Sequence, residues 1–449
     1  VTLESYLATA SYIYKERYGL TGNYRADGSS KFAKGHRWGH FGSVGATWMF
    51  TNEPFMENAS KWIKNGKLRV SWGVLGNQNN INANLYQDQY QIDYTGSGYG
   101  IVWIYKGRED LTWERSQVVD LGLEFDFHKY VTAEIDYFYK LTDNMLFPRY
   151  VAPSLGYSSI PTNDAKMQNQ GVEFSINAVA IDLGKRFKWD LGYNVTWNQN
   201  KITKINGEET MIDGNGYAGA GLTGKSITKF AVGYATNTFY MYESGKATRE
   251  DGSQYWYIVD QQAEGEEGYG KIDETDKVFK NCSPVAPVTM GFQTKFQFYN
   301  FDLGLSFRAN IGNYVFNNVI ATRLQNVAIG NLARDGYYKN LPVDVFNTYY
   351  VDNYNMTIYD ETGKNIIGNA EYDITDRFLE NASFLRCDNI TLGYSFSKNK
   401  ISGRAYCTVS NPFVITKYSG LDPEIGMGGI DNSIYPRSMT TVLGINLQF

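Results

Sequence analysis

The chain is poor in several residue types and patterns, and each shortage excludes something. No apolar run in its 449 residues approaches the ~18 that a membrane-crossing helix needs, which excludes helical membrane spans. Cys282, Cys387 and Cys407 are too few and too scattered for a disulfide framework, and no CxxC or Cys/His zinc spacing occurs. Of the three histidines, His36 and His40 share a polar stretch and His128 stands apart. With no third ligand and no adjacent nucleophile they read as surface residues, so neither a metal site nor a catalytic constellation stands out and no cofactor is implied. Net charge is -5 and no Lys/Arg-rich block appears, which argues against a nucleic-acid partner. No leader precedes Val1, and Ser5 already reads as lying inside a strand, so the stretch reads as part of something longer.

Aromatic residues make up 16% of the chain, with 36 Tyr, 25 Phe and 9 Trp beside 45 Gly. Tyrosine on this scale suits strands that pass from an apolar layer into water. The last eleven residues show the local rule. Met439, Leu443, Ile445, Leu447 and Phe449 alternate with small or polar residues, a period of two that means one oily and one wet strand face. Leu68/Val70/Trp72/Val74 against Lys67/Arg69/Ser71/Gly73 repeats it, as does Val119/Leu121/Leu123/Phe125 against Asp120/Gly122/Glu124/Asp126. Thirteen such segments can be counted.

The connections fall into two classes. Short ones lie near Lys15, Pro54, Lys129, Lys185, Asn300 and Asn399, and long ones span about 76–112, 141–168, 198–288 and 310–384. Short turns on one rim and long loops on the other predict an all-β transmembrane antiparallel β-barrel. The wet face carries Arg69, Glu124, Glu134, Asp136, Asp302 and Arg404 among others, and Arg or Lys turned to the bilayer midplane would cost about 2–4 kcal/mol each. These residues therefore face water or a polar plug. Counting back from the C-terminal strand puts the short turns at the periplasm and the long loops outside the cell. By the same alternation Cys387 faces the lumen and Cys407 faces lipid, which forbids a bond between them.

Several segments are specific enough to carry a family resemblance. They are Arg25-Ala26-Asp27-Gly28-Ser29-Ser30-Lys31-Phe32 with Arg37-Trp38-Gly39, the turn Asn52-Glu53-Pro54-Phe55, Gly76-Asn77-Gln78, and the stretch from Asn163 to Glu173. Near the end come Asn411-Pro412-Phe413, Thr416-Lys417-Tyr418-Ser419-Gly420 and Asp422-Pro423-Glu424, then the terminal strand. In this order, from about Tyr18 to Phe449, they resemble the SusC/RagA family of TonB-dependent outer-membrane transporters. The resemblance implies that 1–449 is the C-terminal part of such a barrel, about the last 13 strands of a 22-stranded plugged barrel, with the plug and N-terminal strands absent.

The resemblance further implies active import of oligosaccharides or peptides across the bacterial outer membrane, and no enzymatic activity. It implies a SusD-like surface lipoprotein as lid, TonB engaged through the absent N-terminal region, and outer-membrane lipid around the barrel. A dimer of transporter–lid pairs is left open. A siderophore or cobalamin receptor, a barrel-embedded hydrolase and a soluble interaction module are the alternatives.

Aromatic residues in the long loops are candidate ligand contacts, because their faces stack on sugar rings: Trp103 and Tyr105, then Tyr255, Trp256 and Tyr257 beside Asp251, then Tyr337 and Tyr338. Packing of the loops on one another is the plainer reading for each of them. In 265–276 the family often carries a calcium-loop pattern, but Gly265 and Tyr269 stand where two carboxylates would be, so no metal is expected there.

Overall fold

The computed structural model describes residues 1–79, 83–94, 96, 98–127, 130–157, 159–205, 211–214, 226–248, 252, 254–266, 269, 272–325, 358–359, 365–366, 374–398 and 401–449. Among these residues thirteen long strands carry the fold: β1 (Leu3–Tyr14), β2 (Tyr18–Ser29), β3 (Trp38–Met49), β4 (Ile63–Asn77), β5 (Glu114–Phe127), β6 (Val131–Tyr150), β7 (Ser159–Asp182), β8 (Lys188–Lys204), β9 (Val288–Phe298), β10 (Phe301–Ile311), β11 (Phe384–Lys398), β12 (Ile401–Thr416) and β13 (Thr440–Gln448). They pair in chain order, every neighbour antiparallel, as one continuous curtain. A hairpin, Gln89–Tyr94 with Tyr99–Tyr105, joins this sheet through the pair Tyr105 and Ser159. Among the described residues, β1 and β13 form its two ends and do not pair with each other.

The alternation seen in the sequence is realised in the pairing. Val70 lies opposite Leu121, and Leu121 opposite Tyr137; all three are 41–45% exposed on the outer face. Leu443 and Ile445 of β13 are 78% and 61% exposed. So wide an exposed apolar band suits a lipid-facing surface.

The opposite face is polar, and its charges are paired across strands. Lys67 Nζ lies 2.6 Å from Glu124, and Arg69 contacts Glu124, Glu134 and, at 2.6 Å, Asp136. Arg404 donates through Nε to Asp302 at 2.9 Å. Gly393 lies between these two side chains, where an added Cβ would fall 2.5 Å from either, so the close approach requires glycine. Cross-strand pairs of opposite charge each contribute roughly 0.2–1 kcal/mol, so this face gains its stability from many modest contacts.

Three readings from the sequence change. The span 141–168 is mostly strand, because β6 runs on to Tyr150 and β7 starts at Ser159, leaving 151–158 as the connection. The 417–439 connection between β12 and β13 belongs with the long set. Finally, the register shifts at Asp388, so Cys387 pairs with Phe307 and Phe413 and shares the apolar face with Cys407. Separation along the strand, and not opposite faces, keeps the two apart, because Cys407 pairs with Leu392. All three cysteines are free.

The long connections on one rim are themselves folded. Met211–Asp213, Thr228–Ala231, Thr238–Tyr242 and Lys277–Phe279 form one small sheet, and Leu379–Asn381, Tyr314–Asn317 and Ile430–Asp431 another. A helix, α1 (Asn318–Gln325), follows Asn317, whose side-chain oxygen accepts from the Ile320 N–H at 3.2 Å and caps the first turn. Ile227, Phe239 and Met241 from the β8–β9 connection, Phe316, Ile374 and Phe378 from β10–β11, and Ile430 from β12–β13 share one buried core. Three loops far apart in sequence therefore form a single cap.

Candidate functional site

The rim where β8 ends holds a cavity of about 750 Å3, within the size range of small-molecule sites. Its wall is built from the run Asn198-Gln199-Asn200-Lys201, the turn Gly233–Thr236, the irregular stretch before β9 (Lys280–Ser283 and Val285–Pro287), and Tyr314, Asp376 and Leu379 of the β10–β11 connection, among others. The turn is fastened to β8 by backbone bonds, Gly233 N to Ile202 O and Ile202 N to Tyr234 O, both 2.9 Å. Asn200 completes the clasp, accepting from Thr236 N at 2.8 Å and donating to Asn169 at 2.7 Å.

The electrostatics of this cavity are close to neutral. Lys280 pairs with Asp376 at 2.8 Å and approaches Glu243 at 3.8 Å, while Asp376 also accepts from the Ser244 N–H at 2.9 Å. Burial pushes the Cys282 thiol up to about 12, so it stays protonated and is a poor nucleophile. Tyr234 stacks on Phe279 with ring centroids 4.1 Å apart. The side chains of Asn198 and Asn281 make no hydrogen bond to other described residues. Among the described residues the arrangement offers unengaged amides and an aromatic wall, with no nucleophile–base pair beside them.

The aromatic residues singled out in the sequence lie elsewhere. Trp103 stacks on Tyr90 at 6.0 Å and packs against Tyr157 at 4.7 Å, and its Nε1 donates to the Tyr105 carbonyl at 2.8 Å. Trp256 lies 4.6 Å from the Arg377 guanidinium and 5.5 Å from the Lys246 ammonium, and Tyr257 covers Gly245. These contacts pack loop on loop. Trp103 and Tyr105 belong to the hairpin between β4 and β5, Trp256 and Tyr257 to a strand between β8 and β9, and none of the four lines the rim cavity. Asp251, Tyr337, Tyr338 and the side chain of Tyr255 lie outside the described residues. The cavity's own signal in the sequence is the amide run that follows the apolar alternation of β8.

A family model, "TonB dependent receptor-like, beta-barrel", matches residues 2–275. The chain belongs to this TonB-dependent receptor family. It is one of outer-membrane barrels. Over all of the present chain, "TonB-dependent receptor SusC" of Bacteroides thetaiotaomicron is 36% identical, the match covering 44% of that protein. "TonB-dependent receptor P3" of Formosa agariphila is 27% identical, again over the whole chain and 45% of its own length. The RagAB peptide importer in its closed-closed state superposes with a TM-score of 0.82 at 26% identity, covering 100% of this chain and 48% of that one. This TonB-dependent receptor barrel thus spans about half the length of the relatives it matches, and its resemblance is to the SusC/RagA branch.

The motifs that carry this family resemblance have structural jobs here. Arg25 holds Asp27 at 2.7 Å, Lys31 donates to the Gln78 carbonyl at 3.0 Å, and Phe32 is buried with Phe41, Val74, Leu111, Trp113 and Leu146. In the Asn52–Phe55 turn Glu53 accepts from Tyr18 Oη, Trp48 Nε1 and Arg17, and these bonds hold its carboxyl below the usual range. Asn163 donates to the Thr112 and Asn144 carbonyls and accepts from Thr112 N, each at 2.9 Å, clasping β7 to the β4–β5 connection. Asp422 and Glu424 collect Arg386, Arg308 and Arg437. Among the described residues no group of three His, Cys, Asp or Glu is placed to hold a metal ion, and Asp273 and Asp276 instead cap one short turn.

Proposed function

We propose that this chain forms part of the barrel of an outer-membrane transporter that imports oligosaccharide or peptide nutrients with energy delivered through TonB. The supporting observation is the 36% identity to a SusC receptor across every part of the chain. The polar inner face and the folded cap of loops agree with it: cargo passes a water-facing wall, and the rim where it arrives is shaped rather than slack.

In this reading the chain supplies the last thirteen strands of a 22-stranded plugged barrel, and its long loops meet a SusD-like lipoprotein outside the cell. TonB acts through a region outside this sequence, and the chain is not an enzyme. Trp103, Tyr105, Asp251, Tyr255, Trp256, Tyr257, Tyr337 and Tyr338 remain candidate ligand contacts, with the four described ones set to shape loops. Cells lacking the complete protein should lose growth on its cargo, regain it on complementation, and lose it again when TonB is deleted. Growth that persists without TonB would contradict the reading.

A further inference from the structure

We infer that the rim cavity beside β8 is a binding subsite for a short neutral oligosaccharide, an inference that rests on the import reading above and names its cargo class at one place. Asn198 and Asn281 line the cavity, and neither side chain is engaged by another described residue. Each amide offers donors and an acceptor, which matches a sugar hydroxyl that is both at once. Tyr234, held flat against Phe279, adds the apolar surface that a pyranose ring covers.

The charges point away from a peptide. A peptide terminus needs an unengaged carboxylate for its ammonium, and Asp376 is already taken by Lys280 and Ser244. The remaining cation, Lys201, is exposed, where a carboxylate partner gains little. A pocket of amides and an aromatic face, with its acid and base mutually neutralised, favours a ligand that is polar and uncharged.

The test is calorimetric titration of the complete purified protein with malto-, cello- and xylo-oligosaccharides, with oligogalacturonates, and with a tetrapeptide mixture. At least one neutral oligosaccharide should bind, and the Asn198→Ala plus Asn281→Gly variant should weaken it about tenfold. Glycine at 281 keeps the positive φ that asparagine adopts there, so the backbone is not strained. Lys201→Ala should leave neutral binding unchanged. Binding of only peptides or oligogalacturonates, binding of none, or neutral binding unaltered in the double variant would overturn the inference. Uptake that proves independent of TonB while the double variant still weakens binding would instead overturn the import reading and leave the subsite standing.

Discussion

Glu424→Gln should be among the more damaging single substitutions in this chain, costing about 1.5–3 kcal/mol, because it removes the charge-assisted bonds that Arg308 and the buried Arg386 share at one carboxylate, while Asp388 and Asp422 remain to each of them. Arg308 and Arg386 lie directly opposite each other on β10 and β11, a like-charge pair that is unfavourable by itself. Glu424 resolves the conflict. It takes two bonds from Arg308, at 2.6 and 2.8 Å, lies 2.7 Å from Arg386 Nε, and meets Arg437 at 2.8 Å. Asp422 takes the other side of Arg386 at 2.6 Å, with both side chains 4% exposed. Glutamine keeps the shape and removes the charge that three arginines share. Denaturant titration of the complete protein in lipid vesicles, with limited proteolysis of 417–439, reads the loss. Arg437→Gln removes only the outermost partner, 45% exposed, and should cost under ~1 kcal/mol. Equal effects of the two would mean that Glu424 does not hold the network.

Leu121→Arg carries the second large effect. Leu121 sits midway along β5 on the apolar face, between Val70 and Tyr137, and an arginine at the bilayer midplane costs about 2–4 kcal/mol. Ser71, opposite Asp120 on the polar face and one row away, is the matched control. Ser71→Arg places the same side chain beside a carboxylate in a polar lumen and should cost under ~1 kcal/mol. The same vesicle unfolding titration measures both. A larger cost at Ser71 than at Leu121 would show the faces to be exchanged.

The strands were legible because each pays out one apolar residue in two over the width of a bilayer, a signal that local sequence carries in full. Leu68, Val70 and Trp72 on β4 announce themselves this way, and the number and order of strands follow. What a period of two cannot show is where it slips. The extra residue at Asp388 carries Cys387 to the face opposite the one its parity with Leu392 implies. Nor does it show where a strand outruns the membrane. Beyond Leu141 and before Asn169 the apolar band fades and Pro148 and Pro161 interrupt it, yet β6 and β7 continue to pair.

The site was less legible than the wall. The cap's core joins Ile227, Phe316 and Ile430, three residues from three connections that no local pattern links. The aromatic clusters drew the eye because stacking residues are conspicuous in a loop, whereas Trp103 and Trp256 are occupied by neighbouring rings and cations. The rim cavity depends on amides at Asn198 and Asn281, residues common in any loop, and only the fold brings them together.

The central claim is that one face of this curtain meets lipid and the other a polar lumen. Spin labels placed singly at Leu443 and Asn446, in a cysteine-free form of the complete protein in lipid vesicles, test it at the terminal strand. The label at 443 should collide freely with oxygen and little with a water-soluble nickel chelate, and the label at 446 should show a lower ratio of oxygen to nickel collisions. A higher ratio at 446 than at 443, or equal access of both to nickel, would contradict the account.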